Sequence, residues 1–259
     1  MARLLQLWRQ VRWSVRQRGA RGTVAVVFRR LARRQNESAN PSHPFDVANG
    51  VDTSGLIGGG RLGDGHPNTR FATAYYGVQP SRLRAALAKW RDTPGTGASE
   101  RYLFLDLGAG KGRAMLIASE IGFREIAGIE LDGGLVKRGR QNLALWRQKG
   151  RANTPMSLVQ SDVTEAPLPE GPLLVYLYNP FHAPVLERVL QRLQSMPGEN
   201  VVDILYMVPE QAEAFAGFSR FTLLWSEVFD MSEEDRIADL VSHAEERCNL
   251  YRLTAPAQS

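Results

Sequence analysis

The sequence predicts an α/β protein: a doubly wound, seven-stranded, mostly parallel sheet with an antiparallel C-terminal strand. Three observations lead there. Short apolar runs alternate with helical repeats along residues 101–253, the pattern of strands joined by crossover helices. One run feeds a glycine-rich turn that opens directly into a helix, Leu105-Asp-Leu-Gly-Ala-Gly-Lys-Gly-Arg113. The last two runs follow each other with no convincing helix between them, which puts an antiparallel pair at one edge.

In chain order, Tyr102 to Asp106 is an apolar run closed by an acid, as for a strand buried on both faces. Residues 113–121 read as helix, Glu125 to Glu130 as a short strand ending in a second acid, and Gly133 to Trp146 as a helix with Leu135, Leu143 and Trp146 inward. Met156 to Gln160 is a third strand and Leu173 to Tyr178 an uninterrupted fourth. Val185 to Leu193 is helix, Val201 to Met207 strand and Glu210 to Ala216 helix. Phe221 to Phe229 and Arg247 to Leu253 complete the seven strands.

Ahead of this core lie two other regions. Residues 1–36 hold ten arginines and no acid, with Leu4, Trp8, Val11 and Val15 at helical spacing. Such a basic amphipathic arm either lies on an anionic membrane surface or partner, through residues 1–34, or packs on the body as a helical hairpin, or is partly disordered. Residues 37–100 combine a Gly/Pro-rich stretch, Asn36 to Asn68, with a helix from Pro80 to Trp90. The stretch reads as a long loop, either a lid over a site or a linker. The core domain is assigned to residues 101–255.

The totals restrict the chemistry. A hydrophobic fraction of 43% and a charged fraction of 23% describe an ordinary soluble globule. The net charge of +5 arises entirely in the arm, because the rest of the chain carries 22 basic and 27 acidic residues. Nucleic-acid binding by an acidic body is not expected. Cys248 is the single cysteine, which excludes an internal disulfide and a cysteine-based zinc site; it reads as a packing residue, and no metal is expected. No apolar run approaches a membrane span, so a cytoplasmic location, with peripheral membrane contact through the arm, is the expectation.

The glycine turn sets amide N–H groups and a helix N-terminus beside the crevice at the strand ends. A phosphate-binding loop of the ATPase type needs Ser or Thr after its lysine, and Gly112 follows Lys111. A dinucleotide turn needs its third glycine one position later than Gly112. Asp106, just before the turn, would repel a pyrophosphate and attract an amino group. The residues favour a cofactor with a cationic end and no phosphate. Lys111 and Arg113 are expected to point to solvent or to pair with nearby acids.

Phe104-Leu-Asp106-Leu-Gly108-Ala-Gly110-Lys-Gly112 resembles the first motif of class I S-adenosylmethionine-dependent methyltransferases. The resemblance runs over about residues 101–253 and implies a Rossmann-like methyltransferase fold with S-adenosyl-L-methionine as cofactor. It implies that Asp106, Gly108, Gly110 and Gly112 line the cofactor site, that Glu130 bonds the ribose hydroxyls and that Asp162 meets the adenine amino group. Without it, the glycines make a plain tight turn, Glu130 a helix cap and Asp162 an Asx turn.

Asn179-Pro-Phe-His182 resembles the Asn/Asp-Pro-Pro-Tyr/Phe motif of amino-group N-methyltransferases, with one proline missing. The resemblance makes Asn179, Pro180 and Phe181 the catalytic candidates, with the Asn179 side chain and a backbone carbonyl accepting hydrogen bonds from an amine. The shortened motif shifts the expected substrate from nucleobases to other amines, protein lysine or a small molecule. Thr73-Ala-Tyr-Tyr-Gly-Val-Gln-Pro80 loosely resembles the pre-core segment of Dot1-type lysine methyltransferases, which makes Tyr75 and Tyr76 lid or substrate-channel candidates. His182 is either a base or a structural residue at a helix start. Two functions remain open: an active methyltransferase, or a scaffold that keeps the fold, has lost transfer and docks through the basic arm.

Overall fold

The computed structural model describes residues 42–62, 65–196, 201–239 and 245–254, all within one compact unit. The arm of residues 1–36 lies outside the described residues, so its membrane expectation carries no structural statement. Among the described residues no helix is long and apolar enough to cross a membrane.

The elements are α1 (Pro44–Asn49), β1 (Leu56–Ile57), β2 (Tyr75–Tyr76), α2 (Pro80–Arg91), β3 (Leu103–Leu107), α3 (Arg113–Ala118), β4 (Glu125–Glu130), α4 (Gly133–Gln148) and β5 (Met156–Gln160). They continue with β6 (Leu173–Tyr178), α5 (Ala183–Gln194), β7 (Val202–Met207), β8 (Phe221–Asp230), α6 (Glu233–Ala238) and β9 (Glu245–Leu253). The main sheet has seven strands in the order β5-β4-β3-β6-β7-β9-β8. The first five run parallel, and β9 is inserted antiparallel between β7 and β8. This is the doubly wound sheet the alternation of runs implied.

The strand order reverses at β3, from which the sheet grows to β4 on one side and β6 on the other. A crevice opens at such a point, beyond the carboxyl ends of the strands, because the flanking connections leave in opposite directions. Two apolar layers hold the sheet. Phe104, Trp90, Trp146 and Phe123 pack on one face, and Leu105, Val175, Leu186 and Ile204 on the other. β3 and β7 are buried along their whole length, which explains runs that are apolar but for Asp106 and Asp203.

Three expectations need correction. The stretch 36–68 is not one long loop over its described part: Pro44 starts α1, Gly50 ends it in the left-handed conformation (φ 62°), and two 3-10 turns follow. Its prolines and glycines act as helix punctuation. The helix expected at 210–216 is a 3-10 turn, Ala212–Gly217. α6 went unforeseen, although Ser232 caps it by accepting from the Asp235 N–H, a legible signal. Cys248 is buried and packs, as expected.

Candidate functional site

β3 ends at the glycine turn, and three left-handed glycines, Gly108 (φ 84°), Gly110 (φ 55°) and Gly112 (φ 84°), carry the chain into α3. Gly108 also permits a close approach: a Cβ there would lie 2.5 Å from Pro180 Cβ, so the turn and the loop after β6 would be forced apart. At Gly110 a Cβ would drive into the Tyr75 ring, which packs against the turn. The resulting cavity, of about 110 Å³, is lined by Asp106, Gly108, Glu130 and Asp162 together with Tyr75, Tyr76, Tyr178, Pro180 and Phe181. Four strand ends and the segment 72–78 thus converge on one space.

The three carboxylates differ in environment. Asp106 is buried at 3% exposure, and among the described residues no hydrogen-bond donor or cation reaches it. Burial, and then the neighbouring Glu130, push its carboxyl well above the usual range. Glu130 accepts from the Gly110 N–H at 2.8 Å through Oε2 and from the Asp132 N–H at 2.9 Å through Oε1. It therefore pins the glycine turn to the end of β4. Burial raises its carboxyl too, against the pull of those backbone donors. The cap of α4 is Asp132, not Glu130.

At Asp162 burial pushes up, but the Thr164 N–H and hydroxyl, Asn68 and His66 outweigh it, and the carboxyl sits below its ordinary value. Its Oδ1 accepts from Thr164 N–H at 2.8 Å, an Asx turn, and Oδ2 accepts from Asn68 Nδ2 at 2.5 Å, while the residue also lines the cavity. The turn and the site use the same side chain.

Lys111 and Arg113 take the second of their two expected fates. Lys111 Nζ pairs with Asp52 at 2.9 Å and donates to the Ser54 carbonyl at 2.6 Å. Arg113 is buried, with Nε on the Thr53 hydroxyl (2.6 Å), a terminal nitrogen on the Gly77 and Val78 carbonyls (both 3.3 Å) and Asp46 at 3.6 Å. Asp46 in turn accepts from the Thr53 and Ser54 N–H groups, both at 2.7 Å. Segments 43–54 and 75–78 are stitched over the glycine turn by this knot. The sequence reading missed Asp46, Thr53 and Ser54 because they sit among the breakers of a presumed loop.

The other end of the cavity is built from the loop after β6. Thr73 N–H donates to the Pro180 carbonyl at 3.1 Å, Thr73 Oγ1 to the Asn179 carbonyl at 2.5 Å, and His182 N–H to the Phe71 carbonyl at 2.9 Å. Asn179 has a left-handed backbone (φ 43°), and its Oδ1 accepts from the Tyr206 hydroxyl at 3.4 Å. Pro180 and Phe181 line the cavity, whereas Asn179 and His182 do not. His182 is exposed and occupies the position before α5. Tyr76 donates to Asp239 at 2.5 Å, and Tyr178 to Glu246 at 3.2 Å. Burial pushes the Glu246 carboxyl up to about 7 in spite of Arg82, 3.2 Å away. No group of three or more metal-ligating side chains occurs among the described residues.

No protein-family model matches the chain. No curated protein matches it in sequence. Among solved structures, it is similar to precorrin-6y C5,15-methyltransferase from Geobacter metallireducens, with 14% identity, TM-score 0.45, and 67% of this chain and 87% of that one covered. It is similar to ribosomal protein L11 methylase from Lactobacillus delbrueckii subsp. bulgaricus, with 11% identity, TM-score 0.42, and 66% and 79% covered. The [4+2]-cyclase SpnF is a third, with 13% identity, TM-score 0.46, and 67% and 81% covered. Likenesses this distant leave the sheet order itself as the ground for the fold. The chain has a doubly wound, Rossmann-like fold with an antiparallel β7-β9-β8 edge. A fold of this kind hosts more than one chemistry, so the function has to come from the site.

Proposed function

We propose that the chain is an S-adenosylmethionine-dependent methyltransferase acting on an amine, either a protein lysine or a small molecule. The observation that carries this reading is Asp106. A buried carboxyl with unfilled acceptor capacity, facing a cavity, is costly unless a ligand supplies the missing charge or donor. An ammonium group does so, and the amino acid end of the cofactor has one. The donor set fits the rest of that molecule. Glu130 keeps lone pairs beyond the two that backbone amides use, enough for a vicinal diol. Asp162 lines the cavity and keeps lone pairs for an aromatic amino group.

When bound, S-adenosylmethionine supplies a methyl group on a positively charged sulfur, open to in-line displacement. The chain contributes position and dryness. Asp106, Glu130 and Asp162 fix three points along the crevice, and the glycine turn keeps its wall thin. Tyr75, Tyr178, Pro180 and Phe181 also line the cavity and exclude water. The aromatic faces also favour positive charge, whether on the sulfur or on an amine. The Asn179-Pro-Phe sequence supports an amine as acceptor.

The second reading, a scaffold that has lost transfer, is favoured by one observation. The acceptors at this loop are already engaged, the Asn179 side chain by Tyr206 and the Asn179 and Pro180 carbonyls by Thr73. Incubating the protein with methyl-labelled S-adenosylmethionine and a fractionated lysate tests the two. Label in protein or in small amines supports the proposal. Label confined to nucleic acid contradicts the amine assignment, and no label in any fraction favours the scaffold.

A further inference from the structure

The acidic charge of the body is unevenly placed. From Gly133 to Ser161 there are six cationic side chains and no acid, whereas the remainder of residues 37–259 holds 16 basic and 27 acidic residues. The six are Lys137, Arg138, Arg140, Arg147, Lys149 and Arg151, and all are exposed. A net charge of −5 averages over this segregation, so it says little about what one face attracts.

These cations mostly lack an acidic partner. Only Arg138 meets a carboxylate among the described residues, Asp52 at 3.2 Å. Arg140 Nε donates to the Leu158 carbonyl at 2.9 Å, and Arg147 to the Met156 carbonyl. β5 pairs only with β4, and these two carbonyls belong to its open edge. Lys149 and Arg151 donate to the carbonyl and side-chain oxygens of Asn49, and Arg151 also lies over the Trp146 ring, 5.4 Å from its centre. Neutral partners orient these groups without neutralising them, and a guanidinium held by one nitrogen still presents its others.

The arrangement is a row. Lys137, Arg140 and Arg147 fall within a quarter of the helix circumference and span about 15 Å along α4 at 1.5 Å per residue. Arg151 and Lys149 extend it past the helix end. Among the exposed large apolar side chains only Leu145 lies on α4, so the row lacks the apolar companions with which a helix enters a lipid surface. We propose that α4 and the loop after it form a docking face for the phosphate backbone of a nucleic acid. This inference does not depend on the methyl-transfer reading.

The test is binding of the full chain to a fluorescently labelled RNA oligonucleotide of mixed sequence, read by anisotropy over a series of salt concentrations. The variant combines Lys137→Gln, Lys149→Gln and Arg151→Gln, leaving Arg140 and Arg147 on the β5 edge. The basic arm is present in both proteins, so the difference between them reports the face. The slope of log K against log salt is expected to become shallower by about two, three phosphate contacts at ~0.7 each for a single strand, with at least a tenfold loss of affinity. Lys137→Glu alone is expected to shift the slope in the same direction, and Lys137→Arg to leave it unchanged. Equal slopes and affinities in wild type and triple variant would overturn the proposal, as would no binding by wild type. Loss of binding to phosphatidylserine vesicles in the triple variant, with RNA binding unaffected, would assign the face to lipid instead.

Discussion

The two ends of the cavity are built in opposite ways. At the Asp106 end, the left-handed positions are all glycines, and the carboxylates turn spare acceptor capacity toward the cavity. At the Asn179 end, the left-handed positions before Pro180 and Pro209 are Asn179 (φ 43°) and Val208 (φ 51°), and the polar atoms are spent on the protein itself. The first end is relaxed and short of donors. The second is strained and satisfied. A site relaxed around unmet acceptors is ready for a ligand, whereas strain held in place by internal bonds belongs to the part that must shift or select.

The largest effect is expected where the strap crosses the glycine turn. Arg113→Ala would leave Asp46 buried without its cation and segments 43–54 and 75–78 without a common donor. Loss of about 3–5 kcal/mol is expected in denaturant unfolding, the scale for breaking a buried pair. A loss under about 1 kcal/mol would show that the knot does not organise this end.

Behind the strained end, Glu246 predicts a pH dependence. Its folded carboxyl, at about 7, binds a proton more tightly than the unfolded one at 4.5. The folded state is thus favoured most below pH 4.5, and this contribution is lost as pH rises through 7, by about 3 kcal/mol in all. Unfolding curves across that window are expected to show the decline in wild type and not in Glu246→Gln.

Smaller changes separate the ends further. Thr73→Val removes the hydroxyl that holds the Asn179 carbonyl, and a stability loss of about 1 kcal/mol is expected, with cofactor affinity within twofold of wild type. A large loss of cofactor affinity would mean that the two ends are one unit. Val208→Asn places a residue that tolerates the left-handed region where a β-branched one is strained, and thermal unfolding is expected to show a gain of about 0.5 kcal/mol.

The legibility of the two ends differs for a physical reason. The relaxed end is local: Asp106 and the glycines are contiguous, and Glu130 and Asp162 each close or follow a strand, so strand ends alone bring them together. The strained end depends on contacts between residues far apart in sequence, 106 positions for Thr73 to Asn179 and 27 for Tyr206 to Asn179. No periodicity announces them, and Asn179-Pro-Phe therefore looked freer than it is. α1 was misread because its Pro44 and Gly50 were counted as breakers rather than as a start and a stop. The row on α4 was visible in the sequence but was hidden by counting net charge over the whole body.

The most direct test of the central claim, that Asp106 is kept vacant for a cationic group, is a calorimetric titration with S-adenosylmethionine in buffers of different ionisation enthalpy. Burial and Glu130 raise the Asp106 carboxyl, so binding a cation there should expel its proton, and affinity should rise with pH. Binding with net proton release is expected in wild type, weakened at least tenfold and stripped of that proton release in Asp106→Asn. No binding, or binding with the same affinity and proton count in the variant, would contradict the account.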